Sequence, residues 1–429
     1  MRADVVIVGA GAAGCAMAAR LSERRDRSVV LLEAGGDGDV VVWPDVAVIR
    51  TSQQPATPYV VGRGIGGSAA LNGMVMTVGE PADYDEWERI YGCVGWSWRD
   101  VRPWFRRAAL PMRRAPRREL GSLSAAMLSA ADGAERARLS RAKTGQRASV
   151  REVYLDPARH RPNLQVRANA LVDRVLFDGR TAVGVALADG EVIEAETVVL
   201  SAGALQTPAV LLRSAVDREG IGHGLHDHPS LSVPLTLHSG RGQESALPVT
   251  VVAHASHVAH NDLQIIAVDT TGGPSLLAAA MRVYSRGQVR LAPSTALRST
   301  VTTPTRDLII EFNMLSDERD LDLLRAAALQ IAKLGQHQKV VAVGTIGPVP
   351  TTDDSLRGSV GDYFHAAGSC RMGAVGDAKA VVDARCHVIG YQSLVVCDAS
   401  VMPNLPRANP CLPTVMIAER VAAMLDAKR

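Results

Sequence analysis

The stretch Asp4–Gly35, DVVIVGAGAAGCAMAARLSERRDRSVVLLEAG, decides the fold of this chain. Two short apolar runs within it, Val5–Val8 and Val29–Leu32, predict strands that are buried on both faces. The small and apolar residues 16–21 between them predict a helix. A strand, a glycine-rich turn, a helix and a second strand in this order indicate a dinucleotide-binding unit.

The glycines of the turn follow the pattern G-x-G-x-x-G, and each has its own task. Gly9 allows the tight turn, Gly11 lets a pyrophosphate approach the backbone, and Gly14 lets helix and strand pack closely. The helix N-terminus adds unpaired N–H groups and a positive dipole end. Glu33, followed by Ala34, stands where a carboxylate would bind the two ribose hydroxyls. This acid argues against NADP, whose 2′-phosphate it would repel, but it leaves NAD and FAD open.

The composition is that of a soluble globular protein. Hydrophobic residues make up 47% of the chain and charged residues 21%, and a net charge of +3 gives no global signal for nucleic acid binding. The six cysteines are scattered, without a C-x-x-C pair or a metal-ligand spacing, which indicates reduced thiols. No apolar run approaches the roughly 20 residues that span a bilayer, and the N-terminus does not resemble a signal peptide. We therefore expect a cytoplasmic protein.

One segment departs from this charge balance. Residues 102–151 contain thirteen Arg or Lys against three acids. We interpret the segment as a solvated basic cap. An acidic partner or peripheral contact with an anionic membrane surface is the alternative.

Later segments predict further parts of the same architecture. Residues 62–73, GRGIGGSAALNG, form a second glycine-dense loop whose backbone N–H groups can crowd a ligand. Short alternating runs between 164 and 195 predict hairpins. A buried strand, Thr197–Leu200, runs into Ser-Ala-Gly-Ala and a helix from Gln206, which would place another backbone loop beside the cofactor. Within residues 231–312, strand-like runs at 233–237, 249–253, 263–268, 289–291 and 308–312 predict a second, mainly antiparallel sheet.

Two histidine-rich segments raise the question of a metal. His226, Asp227 and His228 are adjacent in a turn, and adjacent positions rarely converge on one ion. The segment HASHVAH, residues 254–260, has i, i+3 spacing without a decisive helical pattern. We expect no metal site.

The chain resembles the glucose–methanol–choline (GMC) family of FAD-dependent oxidoreductases over nearly its whole length. The matching pieces, in the right order, are VVIVGAGAAG, LLEAG, GRGIGGSAALNG, VVLSAGALQTPAVLLRS, GLHDHP, YFHAAGSCRMG, VVCDASVMPNLP and RANPCLPTVMIAER.

The resemblance implies an α/β fold (α+β overall) with two lobes. One is a Rossmann-like FAD-binding lobe of the two-dinucleotide-binding-domain flavoprotein type, assembled from residues 1–85, 162–225 and 362–429. The other is a substrate lobe of residues 226–361 with a mainly antiparallel sheet. Residues 86–161 would form the basic cap or lid.

The resemblance also implies which residues bind FAD. The expected ADP-binding residues are Gly9, Gly11, Gly14, Glu33 and Ala34. Those expected near the pyrophosphate and isoalloxazine are Gly66, Gly67, Ser68 and Asn72. Val172 matches the position whose backbone meets the adenine, and Asp398 and Ala399 match the segment at the pyrophosphate and ribityl chain. Leu71 stands where choline oxidase has its flavin-linking histidine, so we expect non-covalent FAD.

The family's catalytic pair corresponds to His365 and Asn409, a His–Asn version that resembles choline oxidase rather than glucose oxidase. Oxidation of an alcohol sends a hydride to flavin N5 and a hydroxyl proton to a base. Imidazole can accept that proton near neutral pH, and the amide can stabilise the developing alkoxide.

Several functional alternatives remain open at this point. We expect a dehydrogenase rather than an oxidase, acting on an alcohol-type small molecule. Its electron acceptor would be something other than NAD, such as a quinone, a carrier or a respiratory component. Oxidation of reduced mycofactocin is one alternative, and a GMC-fold lyase or a non-catalytic flavin-binding protein is another. The chain is shorter than typical members, and Ala69 and Ala215 stand at positions where other residues are usual.

Overall fold

The computed structural model describes residues 2–240, 245, 247–269, 273–293 and 308–427. The remaining residues of the predicted substrate lobe, 241–244, 246, 270–272 and 294–307, lie outside the described part of the chain.

The strands are β1 Arg2–Val8, β2 Val29–Leu32, β3 Val41–Val42, β4 Ala47–Val48, β5 Thr57–Pro58, β6 Gly62–Arg63, β7 Met112–Arg114, β8 Glu135–Arg136, β9 Arg138–Ser140, β10 Leu164–Arg167, β11 Val172–Asp178, β12 Thr181–Leu187, β13 Val192–Leu200, β14 His223–Leu225, β15 Ser230–Leu237, β16 Val249–Ala255, β17 Leu263–Val268, β18 Ser275–Ala280, β19 Gly287–Leu291, β20 Leu308–Glu311, β21 Gly344–Ile346 and β22 Leu394–Val396.

The α-helices are α1 Ala12–Leu21, α2 Ser68–Leu71, α3 Pro81–Arg89, α4 Trp98–Arg107, α5 Ser122–Ala130, α6 Asp156–Ala158, α7 Gly203–Arg213, α8 Glu318–Gln336, α9 Gln338–Val341, α10 Asp353–Ser359 and α11 Cys411–Asp426. Short 3-10 turns lie at Arg117–Glu119 and Ala399–Val401, and a π-helical turn at Arg151–Leu155.

A seven-stranded sheet forms the centre of the first lobe. Its order is β10-β2-β1-β13-β12-β11, with β22 also beside β13. The strands β10, β2, β1, β13 and β22 pair in parallel, and α1 connects β1 to β2 as the sequence predicts. The helix begins at Ala12 rather than at residue 16, directly after its N-cap Gly11. The glycine turn and the helix N-terminus therefore lie at the carboxyl end of the parallel strands, where α/β sheets bind ligands.

One long strand replaces two that the sequence suggested. The runs 192–195 and 197–200 are continuous in β13. Its first half pairs antiparallel with β12, while β1 follows it along its length and β22 joins its last three residues in parallel. Its pairing with β1 before and after Glu196, at Ala195 and Thr197, carries the strand through this residue.

The second lobe confirms the predicted antiparallel sheet. Six strands pair in the order β21-β15-β18-β17-β16-β8, all antiparallel. The helices α5 and α8 pack against it, and their buried leucines share one hydrophobic core with its strands. No helix in the described part of the chain is long and apolar enough to cross a membrane.

Residues 102–151 contact both lobes. The helix α4 packs on α11, α5 packs on β16 and β17, and β8 extends the antiparallel sheet. Some of the segment's arginines pair with acids: Arg107 Nε lies 3.1 Å from Glu419, and Arg141 Nη1 lies 2.7 Å from Glu119. Others, such as Arg102 and Arg113, are exposed.

Candidate active site

A cavity of about 610 Å³ extends from the carboxyl ends of β1 and β2 to the inner face of the antiparallel sheet. The predicted site residues that line it are Gly9, Gly11, Glu33, Ala34, Gly67, Ser68, Asn72, Val172, His365, Asp398, Ala399 and Asn409. Gly14 and Gly66 are not on its wall. Residues that lie up to 400 positions apart in the sequence thus meet around one space.

The two glycines behind the wall support it. Gly14 lies so close to the preceding turn that a Cβ on it would be 1.8 Å from the carbonyl oxygen of Gly9. The N–H of Gly66, whose φ is +113°, donates to the carbonyl of Ala10 at 2.8 Å and joins the two glycine loops.

The wall itself leaves room for a dinucleotide. A Cβ on Gly11 would meet no atom of the described residues within 4 Å, because this position faces the cavity. A Cβ on Gly67, at φ +53°, would lie 2.9 Å from the Cα of Gly11, so the two loops approach each other as closely as glycine permits. This cradle, beside the N-terminus of α1, fits the pyrophosphate of FAD.

Glu33 has a structural task that the sequence did not reveal. Its carboxylate accepts N–H bonds from Ala10 at 2.9 Å, Gly35 at 2.9 Å and Gly64 at 3.1 Å. Burial raises the pKa of this carboxyl, and the three N–H bonds act in the opposite direction. Glu33 therefore joins three loops while it lines the cavity.

Asp398 fixes the Ser-Ala-Gly-Ala loop, residues 201–204, which lies beside the glycine turn. Its Oδ2 accepts from the N–H of Gly203 at 2.8 Å and from the hydroxyl of Thr207 at 2.6 Å, and its Oδ1 accepts from Ser400. The loop lines the cavity at residues 201–204, the position that the sequence predicts.

Asn72 is oriented by a cation from residues 102–151. Arg147 donates to the Oδ1 of Asn72 at 2.8 Å and to its carbonyl at 2.7 Å, and the N–H of Met74 donates to the same Oδ1. Burial lowers the pKa of Arg147. No local pattern predicted a role for this arginine, because 75 positions separate it from Asn72.

The predicted catalytic residues lie side by side. Nδ2 of Asn409 is 3.4 Å from Nε2 of His365, and both residues line the cavity. Thr77 fixes the amide: its Oγ1 accepts from the N–H of Asn409 at 2.9 Å and donates to Oδ1 at 3.4 Å. The amide N–H₂ group is therefore directed towards His365.

The backbone around His365 is held by buried polar groups. Asp227 accepts from the N–H of His365 at 2.9 Å and from the hydroxyl of Tyr59 at 2.9 Å. Burial raises the pKa of Asp227 to about 7. Burial also lowers the pKa of His365 well below its usual value, so its imidazole is neutral at neutral pH. The preceding residue, Phe364, has a φ of +60°, a strained conformation that is common at functional sites.

The turn GLHDHP contributes three different contacts. Nδ1 of His226 is 2.7 Å from the carbonyl of Gly224, and its Nε2 accepts from the N–H of Leu405 at 3.0 Å, so a neutral His226 ties the turn to the segment before Asn409. Asp227 supports His365 as described. Nδ1 of His228 lies 2.9 Å from Nδ1 of His365.

Asp227, His228 and His365 bring three possible metal ligands within 4.8 Å of one another. Two nitrogens at about 2.0–2.1 Å from a tetrahedral zinc would be roughly 3.4 Å apart. The Nδ1 atoms of His228 and His365 are closer than this, at 2.9 Å, so their distance fits a hydrogen bond between the two rings better than two bonds to one zinc ion. His254 and His257 bond separately to Gln264 and Asp322.

The far wall of the cavity is apolar. Val249, Ile266 and Leu277 come from three adjacent strands, with Ile266 directly opposite Leu277 in the register. At the mouth, Val60, Leu71 and Phe364 line the cavity and are 42%, 38% and 51% exposed.

Comparisons with known proteins identify the family. A model of GMC oxidoreductases matches residues 3–230, and a second one matches residues 283–418. The chain is 30% identical to the 5-(hydroxymethyl)furfural oxidase of Methylovorus sp. (strain MP688), over 98% of each protein. It is 29% identical to the oxygen-dependent choline dehydrogenase of Serratia proteamaculans (strain 568), over 98% of this chain and 95% of that one.

Among solved structures, the pyridoxine 4-oxidase from Mesorbium loti superimposes with a TM-score of 0.87 and 25% identity, covering all of both chains. The alignment with the furfural oxidase extends over 530 positions, although this chain has 429 residues. The chain therefore lacks segments that this relative has.

Proposed function

Because the chain belongs to the GMC family of FAD-dependent oxidoreductases, which act on alcohol-type substrates, we propose that it oxidises an alcohol to a carbonyl compound. In this proposal His365 accepts the hydroxyl proton and Asn409 stabilises the alkoxide. One observation carries it: a neutral imidazole and an oriented amide, 3.4 Å apart, line the same cavity as the dinucleotide cradle.

FAD would be held by the residues of the cradle, with Gly11 and Gly67 at the pyrophosphate and Val172 at the adenine. When bound, it supplies the acceptor for the hydride. Leu71 offers no nucleophile for a covalent link, which supports non-covalent binding. Since the cradle would be filled by FAD, we propose an electron acceptor other than NAD.

The chain's own residues handle the proton and the negative charge. In this proposal the nitrogen of neutral His365 that lies beside Asn409 carries the lone pair, and this lone pair takes the alcohol proton. The amide N–H₂ of Asn409, held by Thr77, donates to the oxygen as it becomes negative. Asp227 and Tyr59 hold the backbone that carries His365, so its ring needs little reorganisation.

A second candidate substrate is a bulky donor such as reduced mycofactocin. The apolar rim of Val60, Leu71 and Phe364 favours it, because a large substrate could cover these exposed side chains while its hydroxyl reaches His365.

The test is reduction of the bound flavin without oxygen. Alcohols that include 5-(hydroxymethyl)furfural, choline and reduced mycofactocin should be added to the FAD-loaded protein, and at least one should bleach the visible bands. His365→Ala should slow bleaching by about 10²–10⁴-fold. His257→Ala, a change at a partly exposed histidine bonded to Asp322, is the control.

Either of two results would contradict the proposal. Bleaching by His365→Ala at the wild-type rate would remove His365 from the mechanism. Flavin that stays oxidised with every alcohol would favour a lyase or a non-catalytic flavin protein. Admission of air after bleaching separates an oxidase, whose colour returns quickly, from a dehydrogenase.

A further inference from the structure

We infer that His228 is a positioning residue that sets which nitrogen of His365 carries the proton. This inference rests on the proposed function. The two Nδ1 atoms are 2.9 Å apart, the ring planes meet at 83°, and both residues are buried. The two side chains come from segments 137 positions apart.

A 2.9 Å contact between two ring nitrogens holds one proton, so one ring donates and the other accepts. If His228 donated, His365 would carry its own proton on Nε2 and could not accept another there. If His365 donates from Nδ1, its Nε2 keeps a free lone pair. Only the second arrangement makes His365 a base towards the cavity.

The neighbours of His365 favour the second arrangement. The amide nitrogen of Asn409 faces Nε2 at 3.4 Å, with its oxygen held by Thr77, so an N–H points at that ring nitrogen. A lone pair on Nε2 can accept it, whereas a second N–H would oppose it. The amide of Asn409 and the ring of His228 thus select the same tautomer from opposite sides.

His228 must then carry its proton on Nε2. This atom is buried and has no hydrogen-bond partner among the described residues. Backbone groups of Met281 and Pro406 raise the pKa of the ring, as hydrogen-bond acceptors close to it would. Burial lowers the pKa of His228 to about 3, so His228 stays neutral and does not compete for the substrate proton.

The same contact matters after proton transfer. Once His365 has taken the alcohol proton, its Nδ1–H bond to the neutral His228 becomes charge-assisted and therefore stronger. His228 then does for His365 what a carboxylate does in many catalytic triads, but without a negative charge beside the substrate.

Other ionisable groups also face this pair, so the pH dependence must be compared between variants. They are Asp227, Tyr59, Tyr363 with its ring 4.5 Å from that of His365, His226, and Asp362 with its partner Arg50. All of them remain in a variant that changes His228 alone.

Two substitutions of His228 separate the effect of its hydrogen-bond acceptor from the effect of its side-chain volume. In His228→Asn, an amide oxygen can accept the hydrogen bond from Nδ1 of His365 in place of Nδ1 of His228. In His228→Leu, the side chain fills similar space but offers no acceptor. We expect His228→Leu to lower the rate constant of flavin reduction by about 10–100-fold at saturating alcohol with little change in KM, and to shift the acidic limb of the pH profile to lower pH. His228→Asn should recover most of the rate.

A spectroscopic readout needs neither FAD nor turnover. In protein with ¹⁵N-labelled histidine, the wild type should show a pyrrole-type Nδ1 and a pyridine-type Nε2 for His365. His228→Leu should populate the other tautomer, and His228→Asn should not.

The outcomes are distinct. A wild-type His365 with its proton on Nε2, or a His228→Leu variant with the wild-type rate and pH profile, would overturn the inference. If neither variant folds, the wild-type ¹⁵N spectrum decides. If no alcohol reduces the flavin of the wild type, the proposed function fails while the spectrum still reports the tautomer.

Discussion

Alanine at Gly11 or at Gly14 should separate the binding of FAD from the folding of the first lobe. A Cβ on Gly14 would lie 1.8 Å from the carbonyl oxygen of Gly9, so α1 would have to move away from the turn by more than 1 Å. The neighbours of Gly14 in α1, including Cys15, Ala16 and Met17, are fully buried in the main core. Overpacking of this kind costs about 1–3 kcal/mol and occasionally more. We expect Gly14→Ala to lower the free energy of unfolding by about 3 kcal/mol.

Gly11→Ala should weaken the binding of FAD and leave the free energy of unfolding nearly unchanged. The added methyl group meets no described atom within 4 Å, and the φ of −77° suits alanine. The free energy of unfolding of the FAD-free protein should change by no more than about 0.5 kcal/mol. In the complex, however, the methyl group takes space that the pyrophosphate needs. A cost of about 1–3 kcal/mol there corresponds to roughly 5–150-fold weaker binding of FAD.

The assay combines urea unfolding of FAD-free protein with titration of FAD by fluorescence. Gly358→Ala, an exposed helical position where a Cβ also meets no described atom, is the control for both measurements. Wild-type FAD affinity in Gly11→Ala would refute the assignment of the cradle to the pyrophosphate. Wild-type stability in Gly14→Ala would refute the close packing of α1.

Two further predictions concern stability. Glu419→Gln should lower the free energy of unfolding by about 3 kcal/mol in urea, because this fully buried carboxylate binds Arg20 at 2.8 Å and Tyr154 at 2.7 Å; an equal effect of Glu23→Gln, the exposed partner of the same arginine, would contradict this. His228→Asn should flatten the pH dependence of stability. Burial lowers the folded pKa of His228 from 6.5 to about 3, so between these values the unfolded chain binds one more proton, and stability is lost as the pH falls. The wild type should lose about 1.4 kcal/mol more per pH unit than the variant below pH 6, and equal slopes would contradict the prediction.

Local patterns predicted the first lobe well. The strand, turn and helix around Gly9, Gly11 and Gly14 are contiguous, and each of these residue types is required by the geometry of its own position. The antiparallel sheet of the second lobe was also predicted, but its strand β18 was missed. The segment SLLAAA, residues 275–280, has no preference for a strand, and it becomes one because β15 and β17 pair with it on both sides.

The support around the catalytic pair could not be predicted from spacing. Asp227 and His228 were visible in the turn GLHDHP, but only the fold brings them to His365. Thr77 and Arg147 carry no local signal at all, since a threonine in an extended segment and an arginine among many are common. Pairing partners that are far apart in the chain are determined by tertiary structure, which the sequence pattern of each segment does not contain.

The order of the chain has a consequence for how the protein is made. The cradle begins at Gly9, yet β22 joins its sheet only at residues 394–396 and Asn409 lies just before the last helix. A ribosome must therefore synthesise the chain at least as far as Asn409 before the site is complete. Contacts of such long range also slow folding. A premature stop codon anywhere before Asn409 would give a product without a complete site, and FAD could find that site only after Asn409 has been synthesised.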